Sequence, residues 1–191
     1  VTPALASFHQ QYPDIELDIT YDDNYVDIIE QGFDVSIRSG TLQDSRVVAY
    51  QLSCMDFMIC ASPKLKRELL ESLDGCLLNE ATASHYNWVR FRFKQSGKLM
   101  PILLQERGII IDIDPGQQFI VDDGEAMIAL CEQGAGLTQV PHFIARSAIH
   151  AKRIEPVYPA ITTPGAGVYI VYAKREFLPA RVHVFVEHMK A

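Results

Sequence analysis

Residues 15–20 alternate strictly between apolar and polar, with Ile15, Leu17 and Ile19 separated by Glu16, Asp18 and Thr20. That period of two predicts a half-buried strand at a sheet edge. Before it, Thr2-Pro3 predicts a helix start, a hydroxyl N-cap followed by proline at the first helical position; Leu5 and Phe8 continue the apolar face and Tyr12-Pro13 ends it. Asp23-Asn24 offers caps for a second helix with Val26, Ile29 and Phe33 on one side, stopped by Gly32. Phe33, Val35 and Ile37 form the next strand, which breaks at Ser39-Gly40. Further strands are predicted at 47–52 and 57–61, joined through 53–56, then at 88–93, 103–104, 109–113 and 168–172. Helices are predicted from Ser62-Pro63 to about Glu71, from Pro141 to near Lys152, and from Leu178-Pro179 onward, the last with Val182, Phe185, Val186 and Met189 on one face. Strands and helices mostly alternate, which predicts an α/β fold with parallel sheets.

The pattern repeats. The strand at 15–20 leads to Asp22-Asp23, a helix, the stop Glu30-Gln31-Gly32 and a second apolar run; residues 118–121 lead to Asp122-Asp123, a helix, the stop Glu132-Gln133-Gly134 and another apolar run at 137–141. A strand–helix–strand unit used twice predicts two similar lobes. Two such lobes facing each other make a cleft lined by helix N-termini, which suits a small polar or anionic ligand.

Composition narrows the function. The formal charge of −7 over 191 residues argues against gripping a phosphate backbone, which needs clustered Lys and Arg. The cysteines at 54, 60, 76 and 131 form no CxxC and have no metal-ligand spacing. They fit a reducing compartment. No apolar run approaches the ~20 residues of a membrane span and no signal segment opens the chain, so the expectation is a cytoplasmic protein without membrane contact. No Ser-His-Asp, Cys-His or phosphate-loop arrangement can be assembled, and neither enzymatic activity nor a cofactor or metal is expected. The chain does not begin at Met and is read as a fragment whose upstream part has been cut away.

The run Pro3-x-Leu5-x-x-Phe8-x-x-x-Tyr12-Pro13-x-Ile15-x-Leu17 resembles the opening of the effector-binding domain of LysR-type transcriptional regulators. So do Val26-Asp27 and Gly32-Phe33-Asp34-Val35-x-Ile37-Arg38-x-Gly40, followed by Asp44-Ser45 and Val48-Ala49-x-x-Leu52. Cys60-Ala61-Ser62-Pro63, Val121-Asp122-Asp123-Gly124-Glu125-Ala126, Gly134-Ala135-Gly136-Leu137-x-x-x-Pro141 and Leu178-Pro179-x-Arg181-Val182-x-x-Phe185-Val186 extend the likeness to the chain's end. The resemblance implies two Rossmann-like lobes joined by two crossing strands, as in type 2 periplasmic binding proteins. Lobe I would be residues 1–56 plus 168–191 and lobe II residues 57–167. It also implies an N-terminal winged helix-turn-helix that this chain lacks, and it places residue 1 about where the family's first strand ends. A periplasmic solute-binding protein of the same fold is the alternative.

The expected partners are a small-molecule metabolite effector and further copies of the chain, as a dimer of this domain and a tetramer of the intact regulator. DNA is reached only through the missing domain. The candidate effector-binding residues are Thr2, Asp23, Asn24, Arg38, Ser39, Gly40, Asp123, Gly124 and Glu125, with Trp88, Arg90, His142 and Tyr169 as secondary candidates. Arg38 would pair bidentately with a carboxylate or, as the plainer alternative, bridge to Asp34 or Asp44. Thr2, Asn24 and Asp123 sit where helices begin and read equally as N-caps. The plainer readings of Trp88 and His142 are a core residue and a capped surface residue.

Overall fold

The computed structural model describes residues 1–22, 26–40, 44–73, 80–106, 109–115, 119–157 and 163–191. The chain divides into two compact units, one of Val1–Cys54 with Ala166–Ala191 and the other of Met55–Gly165. It passes from one to the other twice, within a strand each time: β2 (Val47–Ala61) and β9 (Thr163–Ala173).

The first unit contains α1 (Thr2–Gln11), β1 (Ser36–Ser39), the first part of β2, most of β9 and α6 (Ala180–Lys190). β1 pairs antiparallel with β9, Ile37 opposite Ile170 and Arg38 opposite Tyr169. Ile37 and Ile170 point to α6, where buried Val182 and Val186 meet them with Phe185 and Met189 alongside. Alternation then puts Arg38 and Tyr169 on the opposite face. The first helix docks on the last through Phe8, fully buried, whose ring lies edge-on to Phe185 at 5.0 Å.

The second unit contains the rest of β2, α2 (Pro63–Leu73), α3 (Glu80–Ala83), β3 (Trp88–Phe91), β4 (Ile102–Glu106), β5 (Ile109–Ile113), β6 (Phe119–Val121), α4 (Gly124–Glu132), β7 (Leu137–Pro141), α5 (His142–His150) and β8 (Glu155–Pro156). Its sheet is mixed. β3 lies parallel between β6 and β7, whereas β2 pairs antiparallel with β7 and β8. Ile59, Ala61, Trp88 and Leu137 face one way, onto Leu69, Ala83 and the β4–β5 hairpin; Cys60, Val89 and Val140 face the other, onto α4 and α5. Covering both faces explains why these strands read as continuous apolar runs.

Several expectations need correcting. The sheets expected to be parallel are mixed: β3 lies parallel to β6 and β7, but β1 meets β9 and β2 meets β7 antiparallel. Strands expected at 47–52 and 57–61 are one continuous strand. Residues 28–32 form a turn rather than a helix. Asp27 Oδ1 accepts the N–H groups of Ile29 (2.9 Å) and Glu30 (3.2 Å), closing one turn locally, and Gly32 leaves it at φ 76°. The cap expected at Asp23-Asn24 lies outside the described residues. Thr2 is inside α1, not its cap; the N-cap is Val1, with no side-chain cap bond. Residues 15–20, expected as an edge strand, form none and pair with no strand among the described residues.

Candidate functional site

The chemistry-bearing candidates of the first unit gather where β1 ends. Arg38 is half-buried, and its Nη1 donates to Val26 O at 3.4 Å. Ser39 and Gly40 are exposed, and Gly40 N–H donates to Gly167 O at 3.2 Å. Tyr169, across the ladder from Arg38, lays its ring over Gly167, where a Cβ would stand 2.5 Å from the ring and its hydroxyl. A side chain at 167 would require the end of the Tyr169 side chain to shift. Arg38 and Tyr169 thus stand opposite each other in the ladder, next to the exposed Ser39 and Gly40.

Charge around Arg38 is organised by a neighbour that sequence reading did not single out. Arg46 grips Asp44 through Nε (3.1 and 3.2 Å) and Nη2 (2.8 Å), and reaches Asp27 at 2.7 Å. Its hydrogen bonds hold the Asp44 carboxyl down at about 2, with Arg38 adding a smaller Coulombic pull, and lower Asp27 as well. Asp44 is bonded by Arg46, and Asp34 by Arg181 at 3.3 Å. The clue in the sequence was Asp44-Ser45-Arg46, an acidic residue two positions before an arginine.

In the second unit, Asp123 caps α4 by accepting the Ala126 N–H at 2.7 Å, as its position predicts. Gly124 and Glu125 open the helix; their N–H groups are among the orphan donors of a helix start. A Cβ on Gly124 would meet Ile144 Cδ1 at 2.9 Å, so α4 begins close against α5, whose first residue, His142, is exposed. Trp88 is wholly buried and donates Nε1–H to Ala83 O at 3.0 Å, in keeping with its plainer reading as a core residue. Arg90, also buried, bonds the Asp114 carboxylate at 2.7 Å and ties β3 to the turn after β5. Asp23 and Asn24 lie outside the described residues, and exposed Thr2 sits in the first turn of α1.

Among the described residues no group of His, Cys, Asp and Glu has the arrangement to hold a metal, and no helix is long and apolar enough to cross a membrane. Cys60 and Cys131 are buried, and desolvation pushes both thiols up to about 12. Neither has the depressed pKa of a nucleophile.

The model of the LysR substrate binding domain matches residues 1–191. The chain is 24% identical over 184 residues to the transcriptional activator AaeR of Escherichia coli K12, covering 96% of this chain and 57% of AaeR. It is 28% identical over 189 residues to the transcriptional repressor PA14_22550 of Pseudomonas aeruginosa, covering 97% and 57%. The chain thus spans little more than half the length of these relatives. Among solved structures, the regulatory domain of CrgA, a LysR-type regulator from Neisseria meningitidis, is similar with a TM-score of 0.72 at 25% identity, over 99% of this chain and 89% of that one. Two α/β units joined by two strand crossings, with polar exposed ends on β1 and α4, and a family match from first residue to last lead to one conclusion: the chain belongs to the LysR substrate-binding domain family, the effector-binding domains of LysR-type transcriptional regulators.

Proposed function

We propose that this domain binds a small-molecule effector between its two lobes and thereby controls DNA binding by an N-terminal winged helix-turn-helix of the full-length protein. The lobes are taken as residues 1–56 plus 168–191 and residues 57–167. The observation that carries the reading is the Arg38-Ser39-Gly40 end of β1 beside Tyr169, a cationic fork next to exposed backbone. Its counterpart in the other lobe is the start of α4 at Asp123, Gly124 and Glu125, with His142 nearby. A carboxylate on Arg38 and backbone donors at Gly124 and Glu125 would suit a small acid or zwitterion. The acidic flank of Asp123 and Glu125 selects against high negative charge. Effector binding then biases two lobe arrangements, and the differential affinity between them sets the response of DNA binding. The regulator works in the cytoplasm as a tetramer built on dimers of this domain, without catalysis.

The experiment has two arms. A thermal-shift screen of metabolites on the chain finds a ligand, since one that binds only the native state raises its melting temperature. Gel shifts then follow the full-length protein with and without that ligand. The expected result is a ligand-dependent change in DNA affinity for the full-length protein and no duplex binding by the isolated 191 residues. Specific DNA binding by the isolated chain would sink the division of labour, and a ligand without effect on DNA binding would sink the coupling.

A further inference from the structure

Between Val47 and Asp56, β2 is bonded to a neighbouring strand along one edge. β9 lies on that side; β7, on the other, begins to pair only at Phe57, so among the described residues no strand pairs with the second edge before it. This edge carries none of the usual protection. Val47 to Met55 is nine residues without a charge, a proline or a glycine, whereas natural edge strands use charges, prolines and bulges to refuse a further strand. Its side chains are largely uncovered. Val48 and Tyr50, 36% and 47% exposed, alternate onto the face where Leu52 joins the α6 cluster and the Lys190 ammonium lies 4.7 Å over the Tyr50 ring. On the opposite face Gln51, also exposed, turns its amide back along the strand to Ser53 O at 3.4 Å.

We propose that two copies of this chain join along this edge, β2 against β2 in an antiparallel ladder with Gln51 at the two-fold axis. In that register Arg46 stands opposite Asp56 of the second copy at both ends, Val47 opposite Met55, and Tyr50 opposite Leu52. Opposite-charge and aromatic–aliphatic pairs are those that stabilise an antiparallel ladder, and an isologous contact makes each of them twice. Arg46 holds Asp44 and Asp27 of its own chain and still leaves 54% of its side chain exposed for a further carboxylate. The charges also select the register. Moving the axis to Tyr50 sets Arg46 opposite Cys54, and moving it to Leu52 sets Arg46 opposite Met58, which already pairs with Val140 of β7. An uncharged centre between ends of opposite sign is complementary to itself, which makes a second copy the occupant. The proposal rests on the self-association of this domain given above and adds its surface and register.

The test is cysteine cross-linking of the 191-residue chain in a Cys54→Ser, Cys76→Ser background. Positions 49 and 51 are exposed, so the variants probe proximity rather than folding. Gln51→Cys brings two thiols together at the axis, where the Cα atoms of facing residues lie about 5 Å apart, within reach of a disulfide. Ala49→Cys faces Ser53 of the second copy and keeps its own two thiols about 14 Å apart along the ladder, beyond the limit of about 7 Å. Mild oxidation is expected to turn Gln51→Cys into a covalent dimer and to leave Ala49→Cys as single chains. Equal cross-linking of both, or of neither, overturns the proposal. Sedimentation of Gln51→Lys, which sets two ammonium groups at the axis, is expected to show self-association weakened by roughly tenfold or more. A dimer unchanged by Gln51→Lys overturns the strand pairing and leaves self-association standing; a wild-type chain that stays monomeric removes both.

Discussion

The two units solve the same packing problem to different degrees. The second buries its sheet on both faces, with Trp88, Leu137 and Ile59 on one side and Cys60, Val89 and Val140 on the other. The first relies on a smaller cluster around Ile170, Val182 and Val186 and carries a groove beside β1. A sheet covered on both faces buries the larger apolar area and is the more strongly specified by its apolar pattern. The second unit therefore carries the larger buried core.

Core truncation tests that contrast with the largest effects. Trp88→Ala removes a fully buried side chain and its hydrogen bond to Ala83, and should cost about 3–5 kcal/mol in denaturant unfolding. Phe8→Ala, in the smaller core, should fall near the low end, about 3 kcal/mol, because the groove that Phe8 also lines leaves its neighbours room to relax. Equal losses would mean that the two cores are equally closed.

Helix caps give a smaller contrast. Asp123→Ala deletes a 2.7 Å cap bond and should destabilise by about 1 kcal/mol, whereas Thr2→Ala removes no cap and should change stability by less than about 0.5 kcal/mol. Chemical denaturation of both variants decides it.

Thiol chemistry separates buried from exposed positions without a stability cost. Cys54, exposed on β2, should react with a maleimide in the native protein while Cys60 and Cys131 stay protected. Their raised folded values also fix a sign. Unfolding lets these thiols ionise above their ordinary 9.0, so stability holds below that pH and falls as pH rises toward about 12. Labelling of Cys60 as fast as Cys54 would show that the second unit opens readily.

The smallest effect belongs to Arg46. Its partners Asp27 and Asp44 have depressed pKa values, so their contribution is present above the ordinary 3.8 and lost as pH falls toward about 2. Arg46→Ala should flatten the acid side of the melting-temperature profile over that window and leave neutral pH nearly unchanged, as expected for solvent-exposed pairs. An unaltered acid slope would show that the network is worth nothing.

Much of this was legible in the chain. The helix starts at Pro63, Pro141 and Pro179 and the Asp123 cap follow from local rules that tertiary packing did not override. The continuity of β2 was not legible, because Ser53-Cys54-Met55-Asp56 carries turn-like residues that a long exposed strand tolerates. Nor was the turn at 28–32, where the Asp27 side chain outcompetes a helical pattern. Arg38 was identified by its place at a strand end, but its position opposite Tyr169 depends on strand pairing that local pattern does not encode.

Calorimetric titration of one effector into the wild-type chain and into Arg38→Ala tests effector binding at the end of β1 most directly. If Arg38 holds the effector's carboxylate, the substitution should cost about 1.5–3 kcal/mol, roughly 10- to 150-fold in affinity, with the fold intact. Unchanged affinity in a folded Arg38→Ala protein would contradict it and make Arg38 a structural residue.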